Sequence, residues 1–409
     1  MPENLDPVWL LICNPENRRK GLFEQGLIEQ ALFRESQSTF LVISYEELLQ
    51  STSVDRSIER ALKGLHGNRL NVKIESPGEN VEVTKRLIAL GTLQYSDRLA
   101  YDDALSLTFD KGRFRYLKEW SLGFHHILRE IEKTLTRWAA DTDCRIHYLN
   151  TPQAILSMLD KHACQRQLQA QGITSPALVS FADTVYDGIN VDMDFRALTQ
   201  YLIAHHHYSV FIKPRYGSSA AGVMALRMKP DGSQYVLRTS LELVQDKDGA
   251  RCYNSLKVRT YTRFSDIAAL YNIVVQEGAY IERWLPKAQL AGLNFDLRVV
   301  VIHGQASHYV TRCSKSPMTN LHLGNQRGDV LNHPQGNDIL SKAYAAAESA
   351  VQVMVGAGCV GVDVVIAGTR LSPYVIELNA FGDLLPGIFN SASGRPLDTY
   401  QYQIQAMSC

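Results

Sequence analysis

The chain has 409 residues, enough for two or three domains that each bury a sizeable core. Apolar residues make up 45% and charged residues 21%, and Lys plus Arg equals Asp plus Glu at 42 each, so no global positive field argues for nucleic acid or an anionic membrane. No basic stretch precedes an apolar core in MPENLDPVWLL, and no apolar run is long enough to span a bilayer, which makes a cytoplasmic location the expectation.

VWLLIC at 8 to 13 reads as a short apolar strand, NPENRRKGLF as a loop opening a helix, and LVISY at 41 to 45 as a second strand. In VKIESPGEN at 72 to 80, Pro77 and Gly78 break a strand into a loop. Ligands of open α/β sheets sit beyond the carboxyl ends of strands, which places Asn17, Arg18, Arg19, Glu75 and Ser76 where a ligand would bind; loop capping accounts for the same residues. DKGRFRYLKEWSLGFHHILREIEKTL at 110 to 135 is a basic turn and a long amphipathic helix, whose Arg113, Arg115 and Lys118 suit either an acidic substrate or a solvated face. A domain boundary is expected near 141 to 150. PQAILSMLDKHACQRQLQAQGITSP then gives a helix, a glycine stop and a proline-led approach to another strand.

From residue 200 strands dominate: SVFIKP, GVMALRM, YVLRTSLELV, CYNSLKVRTY, AYIERWL, FDLRVVVIHG and SHYVTRCS, with helices at about 265 to 277 and 338 to 356. The second helix carries an alanine-rich face that permits close packing on a sheet. HHH at 205 to 207 cannot point three rings one way in regular structure, so it is not read as a metal site. Cysteines at 13, 144, 164, 252, 313, 359 and 409 form no CxxC pair, and neither a disulfide framework nor a zinc site is indicated.

FIKPRYGSSAAGVMAL, at 211 to 226, sets Lys213 in an apolar strand just before a turn of small residues, Gly217, Ser218, Ser219, Ala220, Ala221 and Gly222. A lysine there needs an anion or a wet cleft, and backbone amides of so slight a turn can approach a phosphate; a surface hairpin with a snorkelling lysine explains the stretch alone equally well. The last hairpin, CVGVDVVIAGTRLSPYVIELNAFGD, puts Asp363 on one strand and Glu377 and Asn379, two apart and hence on one face, on the next. Three oxygen donors on one sheet face suit magnesium. NFDLRVVVIHG carries Asp296 and Arg298 on one face, and VTRCSKSPMTNLHLGN carries Arg312, Asn320 and His322. Strand arginines beside carboxylates and a lysine fit a bound polyanion and its metal ions, with an Asp296–Arg298 structural pair as the bland alternative.

In order, LDKHACQRQL, FIKPRYGSSAAGV, IERWLPKA, FDLRVVVIHG, TRCSKSPMTNLHLG, GVDVV and VIELNA resemble the ATP-grasp superfamily, especially its branch similar to glutathione synthetase and the ribosomal-protein glutamate ligase, over about residues 150 to 390. NPENRR, IESPGEN and FGDLLPG extend the resemblance to a bacterial ATP-grasp group over the whole chain. No GxxxxGK[ST] loop offers another route to ATP. The resemblance implies an α/β chain: an amino-terminal α/β pre-ATP-grasp domain at 1–147, and a two-lobed ATP-grasp fold at 148–409 with an α+β lid lobe at about 175–281 and an antiparallel-sheet carboxy-terminal lobe.

It further implies that Lys161 and Lys213 hold ATP phosphates under a closing turn that includes Gly217, Ser218, Ser219 and Gly222. The backbone of Glu282, Arg283 and Trp284 would meet the adenine, and Lys287 would lie near the ribose. Arg298 and Arg312 would stabilise the transferred phosphoryl group, and Asp363, Glu377 and Asn379 would hold magnesium, two ions with Mn2+ as a substitute. Asn320 and His322 would line the reacting end, and Arg18, Arg19 and Glu75 the acceptor. The family pattern continues NA with Ser-Pro-Gly, whereas Phe381 and Asp383 stand here, so the acceptor end departs from it. The implied activity is an ATP- and Mg-dependent carboxylate–amine ligase acting through an acyl phosphate on small-molecule or peptide substrates. Phosphoryl transfer and non-catalytic ATP binding are the alternatives, and no oligomeric state follows.

Overall fold

The computed structural model describes residues 7–34, 39–50, 53–66, 69–95, 97–179, 193–247, 249–381, 385, 387–390 and 396–408. Asp383 lies outside the described residues.

The first part of the chain runs β1 (Val8–Ile12), α1 (Arg18–Arg34), β2 (Phe40–Ile43), α2 (Tyr45–Gln50), α3 (Val54–Ala61), β3 (Arg69–Ile74), α4 (Val81–Tyr95), α5 (Tyr101–Leu105), α6 (Leu117–Thr142) and β4 (Arg145–Tyr148). Its four strands form one parallel sheet in the order β2-β1-β3-β4. Helices cover both faces, which is why β1 is buried at every position and reads as an unbroken apolar run rather than an alternating one. α4 and α6 meet backbone to backbone, since a Cβ on Gly91 would overlap the Glu119 carbonyl and one on Gly123 the Leu87 carbonyl.

α7 (Pro152–Leu159), α8 (Lys161–Ala170) and α9 (Phe195–Ala204) lead into β5 (Ser209–Pro214), β6 (Met224–Met228), β7 (Tyr235–Asp246), β8 (Gly249–Tyr261), α10 (Phe264–Gln276) and β9 (Ala279–Arg283). These strands make an antiparallel sheet, β8-β7-β6-β5-β9, with a core of its own that includes Phe195, Ile212, Leu226 and Leu270. β5 alternates half-buried and buried positions, so Phe211 and Lys213 share the face away from that core.

The last part comprises β10 (Gln289–Leu290), β11 (Leu293–Ile302), β12 (Gln305–Ser314), β13 (Gln326–Gly328), α11 (Gly336–Gln352), β14 (Cys359–Ala367), β15 (Ser372–Asn379) and α12 (Thr399–Met407). Its antiparallel sheet runs β13-β12-β11-β14-β15, with β10 on β11. Ala343, Ala347 and Ala350 are fully buried on α11, as the small face of that helix requires for close seating. All nine residues of β14 are buried, and the core here is continuous with that of the parallel sheet. The fold is thus mixed α/β, a parallel sheet followed by two antiparallel ones, as expected. Among the described residues no helix is long and apolar enough to cross a membrane.

Candidate active site

Between the β5–β9 sheet and one face of the β11–β15 sheet lies an open cavity. Lys161, Lys213, Lys287, Arg312, Asp296, Asp363, Glu282 and Glu377 all line it, with Phe211, Leu285, Met318 and Ile376 as apolar walls.

Strand register explains the ionic floor. Asp296 of β11 falls opposite Arg312 of β12, Arg298 opposite Asp363 of β14, and Asp363 opposite Glu377 of β15. Arg312 Nε donates to Asp296 Oδ1 at 2.7 Å, and its Nη2 reaches Asp363 Oδ1 at 3.1 Å. Arg298 grips Asp363 from the other side through Nε and, at 3.1 Å, Nη2. Lys287 Nζ donates to Asp296 Oδ2 at 2.8 Å and to Thr319 Oγ1 at 2.7 Å, while the Thr319 hydroxyl donates to Asp296. Burial pushes the Asp296 carboxyl up, but Arg312 and Lys287 more than reverse this and hold it well below the carboxylate range. Asp363 is likewise held low against its burial by Arg298 and Arg312. Burial lowers the Lys287 ammonium, with Asp296 opposing.

A bulge between Asp363 and Val364 slips Ile376 out of the β14–β15 ladder, and both Ile376 and Glu377 reach the cavity. Glu377 Oε1 stands 3.3 Å from Lys161 Nζ, which also donates to the Gly217 carbonyl. Lys161 opens α8 behind Asp160, whose side chain caps the helix and accepts from Arg215 Nε at 3.1 Å. On the opposite wall Lys213 pairs with Glu282 of β9. Burial raises the Glu282 carboxyl, with Lys213 opposing, and its Oε2 is buried without a hydrogen-bond partner among the described residues.

The expected site residues are placed as follows. Lys213 reaches a protein anion, Glu282, because β5 and β9 are neighbours. The Arg283 amide donates to Ala177 O at 2.9 Å and the Trp284 amide to Ser209 O at 3.2 Å, so neither is available to an adenine. Trp284 packs instead on Phe211 and Arg227, with centroid distances of 5.1 and 4.7 Å, while Arg283 is an exposed rim residue. Leu285, one position on, lines the cavity and was not singled out by the sequence. Lys287, half-buried, lines the cavity and is tied to Asp296 and Thr319. Asn320 lines the cavity, whereas His322, in the 3-10 turn Leu321–Leu323, is exposed and does not. Arg298 backs Asp363 from outside the cavity lining.

The three oxygen donors share one sheet face but are not a preformed cluster. Asp363 is gripped by two arginines, Glu377 faces Lys161, and Asn379 donates through Nδ2 to Gly361 O at 3.1 Å. No group of three His, Cys, Asp or Glu among the described residues could by itself hold a metal ion. Asp363 and Glu377 line the cavity and Asn379 lies outside its lining; as hard oxygen atoms the three still fit magnesium chemically.

The parallel sheet reverses winding between β1 and β3, the point where such sheets receive ligands. Arg19 and Glu75 converge there at 3.6 Å, with Lys73 Nζ 3.0 Å from the same carboxylate. Arg19 also donates to the carbonyl of Phe381, two residues past Asn379, so this crevice adjoins the end of β15. Arg18 is exposed at the start of α1 and does not join it. Lys73 and Gln403, bonded at 2.9 Å, were missed because neither carries a local signal of the contact.

No protein-family model and no curated protein matches the chain. D-cycloserine synthetase DcsG superposes over 98% of this chain and 98% of its own, with 13% identity and a TM-score of 0.49. ATP-grasp ligase PsnB, solved with a phosphomimetic variant of its minimal precursor, Mg and ADP, covers 99% of both chains at 14% identity and a TM-score of 0.46. Macrocyclase MdnC bound to precursor peptide MdnA, from Microcystis aeruginosa, covers 98% of this chain and 99% of its own at 10% identity and 0.49. The chain is similar in fold to these three structures.

Proposed function

We propose that the protein is an ATP-dependent carboxylate–amine ligase that works through an acyl phosphate. The observation that carries this reading is the convergence of Lys161 and Lys213, from different elements, on a cavity whose floor is the Asp296–Arg312–Asp363–Glu377 row. Support also comes from the order of the motifs along the sequence.

In this reading the apolar walls, Phe211, Leu285, Met318 and Ile376, sandwich the adenine, and the orphan Glu282 Oε2 accepts from its amino group. The Leu285 amide takes the ring-edge role expected of Glu282, Arg283 and Trp284. Lys161 and Lys213 turn from Glu377 and Glu282 to the phosphates. Glu377, Asn379 Oδ1 and the remaining lone pair of Asp363 would hold magnesium, which supplies charge neutralisation between phosphate oxygens. Arg312, locked by two carboxylates, presents a fixed positive charge where the transferred phosphoryl group becomes most negative.

A substrate carboxylate oxygen attacks the γ-phosphorus and ADP leaves; an amine then attacks the acyl carbon, phosphate leaves, and the nitrogen loses a proton. Arg19 and Glu75 place the acceptor at the switch-point crevice, beside the end of β15. Incubating the protein with ATP, magnesium and mixed amino acids or peptides, and following ADP together with product mass, tests the reading. ADP released in step with an amide product is expected; phosphorylated product alone points to a phosphotransferase, and ATP binding without turnover sinks the enzyme.

A further inference from the structure

We infer that the segment Gly112–Leu117 is a strap that props the cavity-facing turn Gly217–Gly222 and ties its shape to the parallel-sheet half of the chain. Only the effect on nucleotide binding rests on the reading above. The strap lies along the free edge of β8: the Phe114 amide donates to Cys252 O at 3.1 Å, the Asn254 amide to Gly112 O at 2.7 Å, and the Tyr253 hydroxyl to Asp110 Oδ2 at 3.1 Å. Both glycines of the turn rest on it. A Cβ on Gly222 would fall 2.5 Å from Phe114 Cε2 and 2.8 Å from Pro214 Cγ, and one on Gly217 would fall 3.6 Å from Leu117 Cδ1.

The turn needs that support. Gly217, Ser219, Ala220 and Gly222 all have left-handed backbone, with φ of 111, 57, 58 and 77°. Two internal backbone bonds, Ala221 N to Ser218 O at 3.0 Å and Val223 N to Ala220 O at 3.3 Å, and one from Ser240 Oγ to Ala220 O at 2.9 Å hold this shape from within and above. The Phe114 ring, 4% exposed, closes it from below.

Behind the strap is a latch whose two carboxylates, Glu119 and Glu277, are buried. The Leu117 amide donates to Glu277 Oε2 at 2.7 Å, Arg98 Nη1 to Glu277 Oε1 at 3.0 Å, and Arg98 Nη2 to Glu119 Oε2 at 2.7 Å. The chain continues directly to the site: Gly278 O accepts from the Arg215 amide at 3.0 Å, and Arg215 O from the Lys161 amide at 3.0 Å. Residues of the first half thereby pre-organise a turn whose amides must otherwise be ordered when an anion binds.

Hydrogen exchange of the ligand-free protein tests the strap. Phe114→Ala is expected to speed exchange of the amides at 217–223 by about tenfold or more while β11 and β14 stay protected, with Phe114→Leu near the parent. Glu277→Gln, which keeps an acceptor for Leu117 but loses charge toward Arg98, should speed the same amides and decides the matter if Phe114→Ala does not fold. Gly222→Ala should weaken binding of a non-hydrolysable ATP analogue, and adding Phe114→Ala should restore part of that loss by making room. Unchanged exchange at 217–223, or a rise of equal size throughout the molecule, would overturn the strap, as would strictly additive Gly222 and Phe114 effects. A parent that binds no ATP analogue defeats the nucleotide reading and leaves the exchange comparison to judge the strap alone.

Discussion

Lys161 Nζ stands 3.3 Å from Glu377 Oε1, joining the first residue of α8 to Glu377, near the end of β15, across the cavity. Both side chains are partly exposed, at 18% and 26%, so the pair adds only about 0–1 kcal/mol to stability. Glu377→Gln is therefore expected to leave the thermal midpoint nearly unchanged and to cut ATP turnover about 100-fold, by removing an anionic oxygen from the proposed magnesium site. Near-parental turnover in the folded variant removes Glu377 from that site.

The Lys213–Glu282 pair behaves differently because Glu282 is 3% exposed. Lys213→Met should weaken ATP binding by about 1.5–3 kcal/mol, read by calorimetry. It should also cost about 3–5 kcal/mol of stability at neutral pH by leaving a buried carboxylate unpaired. Burial raises the Glu282 carboxyl against the pull of Lys213, so its contribution to stability is full at low pH and is lost as pH rises through the folded value. The stability defect of Lys213→Met should accordingly shrink as pH falls. Adding Glu282→Gln should mend stability without mending affinity; affinity that returns with stability would assign Lys213 to the fold alone.

Asp296 and Asp363 are both held below the ordinary carboxylate range. Their depressed values contribute stability that is full above the unfolded carboxylate pKa of about 4 and is lost as pH falls through the lower folded values. Urea titrations between pH 2 and 7 should show the parent losing stability steeply on the acid side. Asp296→Asn should be less stable by about 3–5 kcal/mol at pH 7 and show a shallower acid limb. An acid limb of parental slope would mean that other groups govern it.

Arg19→Ala should leave ATP affinity unchanged and raise the acceptor KM about tenfold or more, since Arg19 joins Glu75 to the Phe381 carbonyl. Arg18→Ala, an exposed change, should stay within about 0.5 kcal/mol in stability and leave KM alone. Reversal of the two phenotypes would move the acceptor elsewhere.

Strand parity and charge in apolar runs made much of this legible before any coordinates: Asp296 and Arg298 share a face, as do Glu377 and Asn379, and Asp363 does stand across from Glu377. Pairing partners were not legible, because they depend on the register between strands distant in sequence. Arg298 met Asp363 rather than Asp296, and Asp296 met Arg312. Arg18 and Arg19 could not be told apart from composition, since one residue of helical phase decides which turns inward. Lys287 and Thr319 lie in irregular segments where no period predicts direction, and Phe114 acts through a contact more than a hundred residues away in the chain. Asp160 was readable as a helix cap ahead of Lys161, but nothing local announced that Arg215 would also bind it.

The ionic floor is largely paired within itself: three cations, Arg312, Lys287 and Arg298, are already matched to two carboxylates, Asp296 and Asp363. An incoming polyanion at this floor does not meet bare cations but competes with resident carboxylates, so its association is a swap of partners rather than a net gain of ion pairs. Such a swap releases few salt ions, and binding should respond to ionic strength less than a tally of lysines and arginines suggests. It also discriminates by geometry: a singly charged anion cannot occupy enough of the matched cations at once to displace the carboxylates, whereas a chain of phosphates bridged by a divalent ion can.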